Sequence, residues 1–275
     1  IKKSDEKIIK LKSFLIDNGF YEVINFPFVS EANEIKLDNS LDSNKSFFRG
    51  ALKESLIDNL LYNERRQKDS IKLFEISNIY KYTDEIKSNE VLGIILSGRL
   101  GKNYKQFHKK INANYINDLL KDYIDERHLN IQEISRDNLN TKTKNKIIYF
   151  EVEIDKFSDR ILDYESSSPP KDGFIQYQPI SEYPSSTRDL SFSIEDFSQL
   201  EKLQDLLLLT EYDMLKEVFV FDYFEDKKNN LLKVGFRFIF QLSNKTITDK
   251  EVDNIMNKVI DNALTIKSVS IPGIK

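Results

Sequence analysis

A chain of 275 residues with 40% hydrophobic content, 19 Phe and 13 Tyr can bury one large core or two ordinary ones, which excludes a disordered or fibrous protein. Its 41 basic and 45 acidic residues leave a net charge of −4, so bulk electrostatics cannot hold nucleic acid and any such binding must use local patches. Without cysteine there is no disulfide, thiolate nucleophile or Cys-based zinc site, and two distant histidines, His108 and His128, argue against a His-built metal site or a Ser–His–Asp triad.

The chain opens on "IKKSDEKIIK", too polar for a secretory signal and without an initiator Met. No run of about 18 apolar residues follows that could span a bilayer. The expectation is a piece of a longer, cytoplasmic chain with no membrane partner. Ile8, Leu11 and Leu15 predict an amphipathic helix that ends at Asn18-Gly19. "FYEVINFPFVS" (20–30) reads as a strand. In "ALKESLIDNLLYNERR" (51–66), Leu52, Leu56 and Leu60 fall four apart and predict a second helix. "IKLFEISNIYKY" (71–82) and "EVLGIILSG" (90–98) each carry the largely apolar stretch of a central strand buried on both faces. A helix near 112–126 and a strand "KIIYFEVEI" complete this half, while the polar, patternless 129–145 reads as loop.

"YESSSPPKDG" (164–173) has linker composition. It predicts a first domain over 1–165, a linker over 166–177 and a second domain over 178–275. The second domain carries 12 Lys and Arg against 16 Asp and Glu, which is the whole net charge. Its segments run strand (188–194), helix "SQLEKLQDLLLL", strand "KEVFVFDYF", turn "EDKKNN", strand "LLKVGFRFIFQL", helix "DKEVDNIMNKVIDNAL" and a short strand "KSVSI". Thr248, followed three residues later by Glu251, is a capping box that opens the second helix. The order βαββαβ is the ferredoxin-like arrangement, with two helices on one sheet face and the other face left open or given to a partner.

Period-two alternation assigns the faces. Leu190, Phe192 and Ile194 point toward the helices, as do Leu232, Val234, Phe236, Phe238 and Phe240. Asp189, Ser191, Ser193, Lys233, Gly235 and Arg237 share the far face. A small polar surface of this kind suits single-stranded RNA, whose bases stack on exposed aromatics, and Tyr223 is a candidate stacker of ambiguous parity. Lys and Arg on an exposed sheet also serve solubility alone, and that reading stays open.

In order, "LIDNGFYEVINFPFVS", "FFRGALKESLIDNLLYNERR", "IKLFEISNIY", "QPISEYPSSTRDLSFSI", "FVFDYF" and "TITDKEV" resemble the C-terminal part of the bacterial phenylalanyl-tRNA synthetase beta subunit family. The resemblance implies an α+β fold: a class II synthetase-like antiparallel sheet domain, then a ferredoxin-like βαββαβ anticodon-binding domain. It implies a ligase subunit that binds the anticodon stem-loop of phenylalanine tRNA and scaffolds a catalytic alpha subunit in an alpha2-beta2 heterotetramer. The tRNA-binding candidates are Arg188, Ser191, Tyr223, Lys233 and Arg237, with Arg188 either touching RNA or pairing with a neighbouring carboxylate. No catalytic residue, metal or cofactor is expected in this chain; ATP and Mg2+ belong to the complete enzyme. Lys81 stands near the position where a class II site needs an arginine, no Gly-rich segment with a second arginine follows, and Arg49 is expected to be structural at a helix start.

The segment before "KIIYFEVEI" is shorter than the family's pattern, and Pro272 stands near an expected arginine whose contact Lys275 could supply. Two rival readings remain at this stage. One is a regulatory protein whose ferredoxin-like half senses a small metabolite; the other is an active ligase, for which the arginine constellation is missing.

Overall fold

The computed structural model describes residues 2–30, 33–42, 44–101, 104–167, 179–209, 212, 214–226 and 230–273. Most of the expected linker, together with Tyr177 and Lys275, lies outside them. The chain divides into two units: Ile1–Leu100 with Lys109–Pro170, and Gly101–His108 with Lys171–Lys275. A short segment from the middle of the first half thus belongs to the second unit, where Phe107 packs on its core.

In the first unit, α1 (Lys3–Asp17) buries Leu11, Phe14 and Leu15. It ends in a Schellman motif: Gly19 N–H donates to Ile16 O (2.9 Å) and Phe20 N–H to Leu15 O (3.0 Å). Gly19 takes φ +79°, a conformation that costs glycine nothing. A five-stranded sheet follows in the order β1 (Tyr21–Glu22), β4 (Ser70–Tyr82), β5 (Ile86–Gly98), β7 (Ile147–Glu153), β6 (Gln132–Ile134). Only β1 runs parallel to its neighbour. On β5, Leu92, Ile94 and Leu96 face the core beneath α1 and α3 (Ala113–Leu120), while Val91 and Ile95 face Leu52, Leu56 and Leu60 of the α2 region (α2, Lys53–Arg65). Burial on both sides is why this strand reads as one apolar run. A Cβ on Gly93 would come within 2.9 Å of Leu56 Cδ1, so the missing side chain sets how closely α2 approaches.

Three expectations are corrected here. The single strand over 20–30 is instead two short strands in different sheets, β1 and β2 (Phe28–Val29), the latter paired with β3 (Phe47–Phe48). Pro27 lies between them without an N–H, and its carbonyl accepts from Arg49 N (2.9 Å). The helix near 112–126 stops at Leu120, and a 3-10 turn over Glu126–His128 follows. The patternless 129–145 contains β6, and Arg136 pins it: its Nη1 and Nη2 donate to Glu64 Oε2 (3.0 Å) and Oε1 (2.7 Å), and Nη2 also to Ser97 Oγ (3.0 Å).

The second unit is an antiparallel sheet ordered β11 (Val269–Ser270), β8 (Ser186–Ile194), β10 (Leu231–Phe240), β9 (Leu215–Asp226). α4 (Gln199–Leu209) lies between β8 and β9 in the chain, and α5 (Asp249–Leu264) between β10 and β11. This is the βαββαβ ferredoxin-like fold. Leu200, Leu203 and Leu207 from α4 and Val252, Ile255, Met256 and Val259 from α5 close the core over Phe192, Phe236, Phe238 and Phe240. The capping box is formed: Thr248 N–H donates to Glu251 Oε2 (2.9 Å) and Glu251 N–H to Thr248 Oγ1 (3.4 Å). Lys245 and then Thr248 hold the Glu251 carboxyl down to about 2.

Candidate nucleic-acid interface

Strand β10 organises the uncovered face. Its inward residues Leu232, Val234, Phe236, Phe238 and Phe240 are buried, as alternation predicts. Across from it on β8, Lys233 meets Ser193, Gly235 meets Ser191 and Arg237 meets Asp189. On β9, Lys233 meets Phe224, Gly235 meets Asp222 and Arg237 meets Phe219. Residues directly opposite in an antiparallel pair share a face. The open face therefore holds Ser191, Lys233, Gly235 and Arg237 with Asp189, Asp222, Phe219 and Phe224.

The register shifts between Gly235 and Phe236, where β10 passes from Asp222 directly to Val220 and leaves Phe221 as the extra residue of a β-bulge. The Phe221 ring lies over Gly235: a Cβ there would sit 2.7 Å from its Cε1 and 2.9 Å from its Cζ. Glycine on β10 is thus required by a ring on β9. Arg237 donates from Nε to Asp189 Oδ1 and from Nη2 to Asp189 Oδ2, both at 2.8 Å, and its guanidinium carbon stands 5.2 Å from the Phe221 ring centroid. The Asp189 hydrogen bonds hold Arg237 above the ordinary arginine range. Lys233 is exposed and makes no ion pair among the described residues, and Phe224 is 57% exposed.

Of the five candidates, the structure brings Ser191, Lys233 and Arg237 together. Tyr223 lies opposite the buried Val234, on the helix side, where its ring packs against Phe107 (5.8 Å) and His108 (5.0 Å). The exposed aromatic of this strand is its neighbour Phe224. Arg188 also lies off the open face: its Nη2 donates to Asp249 Oδ1 (2.7 Å) and lies 3.5 Å from Asp253, both on α5, and its Nη1 donates to Ser186 Oγ (3.1 Å). It clamps β8 to the start of α5. Sequence parity missed Phe219, Phe221 and Phe224 because the bulge shifts the phase within "FVFDYF"; the lone glycine on the facing strand was the available signal.

In the first unit, Arg49 is buried. Its Nη1 donates to Glu75 Oε1 (2.9 Å) and its Nε to Asn78 O (3.1 Å), while Asn25 Nδ2 donates to Glu75 Oε2 (2.8 Å). Next to it, Glu151 Oε2 accepts from Leu52 N and Tyr149 Oη, both at 2.6 Å, and so caps α2 with a carboxylate from β7. Burial first, and then Glu151, push the Tyr149 hydroxyl up.

The fold and its uncovered sheet place the second unit in a recognised class: the family model described as a ferredoxin-fold anticodon binding domain matches residues 181–269. The model of the phenylalanyl tRNA synthetase beta chain CLM domain matches residues 2–146. The chain belongs to the phenylalanyl-tRNA synthetase beta chain family. It is 26% identical to the chloroplastic phenylalanine–tRNA ligase beta subunit of Porphyra purpurea, covering 94% of this chain and 40% of that protein. It is 28% identical to that of Pyropia yezoensis (90% and 39%). To the beta subunit of Thermotoga maritima it is 25% identical (92% and 36%). The chain thus spans between 36% and 40% of the length of these relatives.

Proposed function

We propose that this chain is the portion of a phenylalanyl-tRNA synthetase beta subunit that joins two tasks. Residues 1–165 hold the alpha subunit, 166–177 link, and 178–275 grip the anticodon stem-loop of phenylalanine tRNA. The complete enzyme is an alpha2-beta2 heterotetramer of the cytoplasm that joins phenylalanine to its tRNA through an adenylate. ATP and Mg2+ enter through the alpha subunit. The described residues of the first unit do not fit an ATP site: Arg49 is committed to Glu75 and Asn78, and Lys81 lies at the exposed end of β4.

The observation that carries this reading is the pairing of two family matches in order with an uncovered sheet bearing an exposed Phe224, the Ser191 hydroxyl and Lys233, which makes no ion pair among the described residues. Stacking supplies sequence-tolerant affinity on such a face, which suits an acidic module better than charge does. Filter binding of phenylalanine tRNA tests it. Phe224→Ala should weaken binding at least several-fold, in line with the roughly 1–3 kcal/mol of a base–aromatic stack. Lys233→Ala should weaken it and flatten the salt slope by about 0.7, the share of one neutralised single-strand phosphate. Binding unchanged in both variants removes the open face from the reading, and failure of the chain to co-purify with an alpha subunit removes the scaffold.

A further inference from the structure

Among the described residues, Lys233 and Arg237 are cations of the open face in different states. Lys233 makes no ion pair among the described residues, whereas Arg237 is held by both oxygens of Asp189 directly across the strand pair. Asp189 is 39% and Arg237 26% exposed at the side chain, so the pair stands at the surface. Phe221, lying over Gly235, bounds the guanidinium on a further side. A fork-on-carboxylate pair fixes the plane of the arginine and cancels its charge locally, which a lone surface arginine does not do.

Resting on the anticodon-binding reading, we infer that Asp189 is a positioning residue that sets the specificity of this face. It keeps Arg237 flat beside Phe221, so that Arg237 meets RNA as a planar, charge-compensated surface and not as a seeker of phosphate. Among the described residues of this face, phosphate attraction then falls to Lys233, and selection falls to stacking and hydrogen bonding around Phe221, Phe224 and Arg237. Removing the carboxylate charge leaves the Arg237 charge uncompensated by Asp189, so that it attracts any RNA backbone. Overall affinity rises while discrimination falls, the opposite of what loss of a direct RNA contact produces.

The test measures binding of the full 275-residue chain to two RNA hairpins across a salt series. One hairpin presents the phenylalanine anticodon in its loop and the other a scrambled loop. Asp189→Asn should bind the scrambled hairpin several-fold more tightly, steepen the salt slope by about 0.7 and reduce the preference for the anticodon several-fold. The double variant Asp189→Asn with Arg237→Gln leaves the net charge unchanged, so it should lose preference without altering the slope, and it serves if the single variant folds poorly. Thermal unfolding of each variant separates these effects from simple destabilisation. Wild-type chain that binds neither hairpin overturns the anticodon-binding reading itself. Wild-type chain that binds both equally, a slope unchanged in Asp189→Asn, or a slope that flattens in the double variant overturns the role of Asp189 alone.

Discussion

Both units contain an arginine–carboxylate pair that links separate segments of chain, and the two pairs do different work. Arg49 and Glu75 are 1% and 2% exposed at the side chain, with Asn25 and the Asn78 carbonyl as further partners, and Arg49 Nη2 is buried with no hydrogen-bond partner among the described residues. Arg237 and Asp189 stand in water at the surface of an uncovered sheet. The same chemistry therefore fixes a core in one unit and lies on an uncovered sheet face in the other, the face proposed to meet RNA. What separates them is desolvation: a buried pair leaves an uncompensated charge when half is removed, and an exposed pair hands its partner back to solvent.

That contrast can be broken by measurement. Glu75→Ala strands the Arg49 guanidinium in the core and should cost about 3–5 kcal/mol in urea unfolding; a loss below about 1 kcal/mol would erase the difference between the pairs. Gly235→Val should cost about 1–3 kcal/mol through overpacking, because the new side chain must displace the Phe221 ring. It should also reduce RNA binding, so unchanged binding would detach that ring from the interface. Thr248→Ala removes the α5 cap for about 1 kcal/mol by thermal or urea unfolding.

The cap also carries a pH signature. The folded Glu251 carboxyl is depressed to about 2, so its contribution is fully present above the ordinary glutamate range and is lost as pH falls through that range toward about 2. Acid unfolding of Glu251→Gln should show a weaker loss over that window than wild type. The smallest effect belongs to Asp189→Asn, whose stability should change by no more than about 1 kcal/mol, since exposed pairs contribute little. Its consequence should appear in binding.

Much of this architecture is legible where one local rule acts without interference. The period-two pattern of β10 and the two-sided apolar run of β5 lead directly to their observed faces, because each strand is regular and its burial follows its pleat. Legibility fails where a long-range partner overrides the local signal. Pro27 splits the segment over 20–30 between two sheets, and only the sheet partners Phe47 and Leu73 reveal it. The 129–145 stretch is ordered by Glu64 and Ser97, far away in the chain. At the interface, Ser191, Lys233 and Arg237 follow from alternation. Tyr223 and the phenylalanines around it do not, because a bulge leaves no mark in the residue types of its own strand. Arg188 shares the parity of Leu190 and Phe192, whereas the resemblance makes it a tRNA-binding candidate; of its two expected roles the structure shows the carboxylate pair, with Asp249 and Asp253.

The surplus residue Phe221 in β9 also governs how this module tolerates change. Deleting Phe221 would leave Val220 on Phe236 and Asp222 on Gly235, so pairing becomes even at this point and neither flank changes face. Flattening the bulge while keeping Phe221 would instead slip one flank by a residue and exchange either Tyr223 with Phe224 or Phe219 with Val220 between core and water. Grafts or alignments that treat "FVFDYF" as an ordinary ungapped ribbon will therefore carry the wrong ring outward, even when every letter is kept.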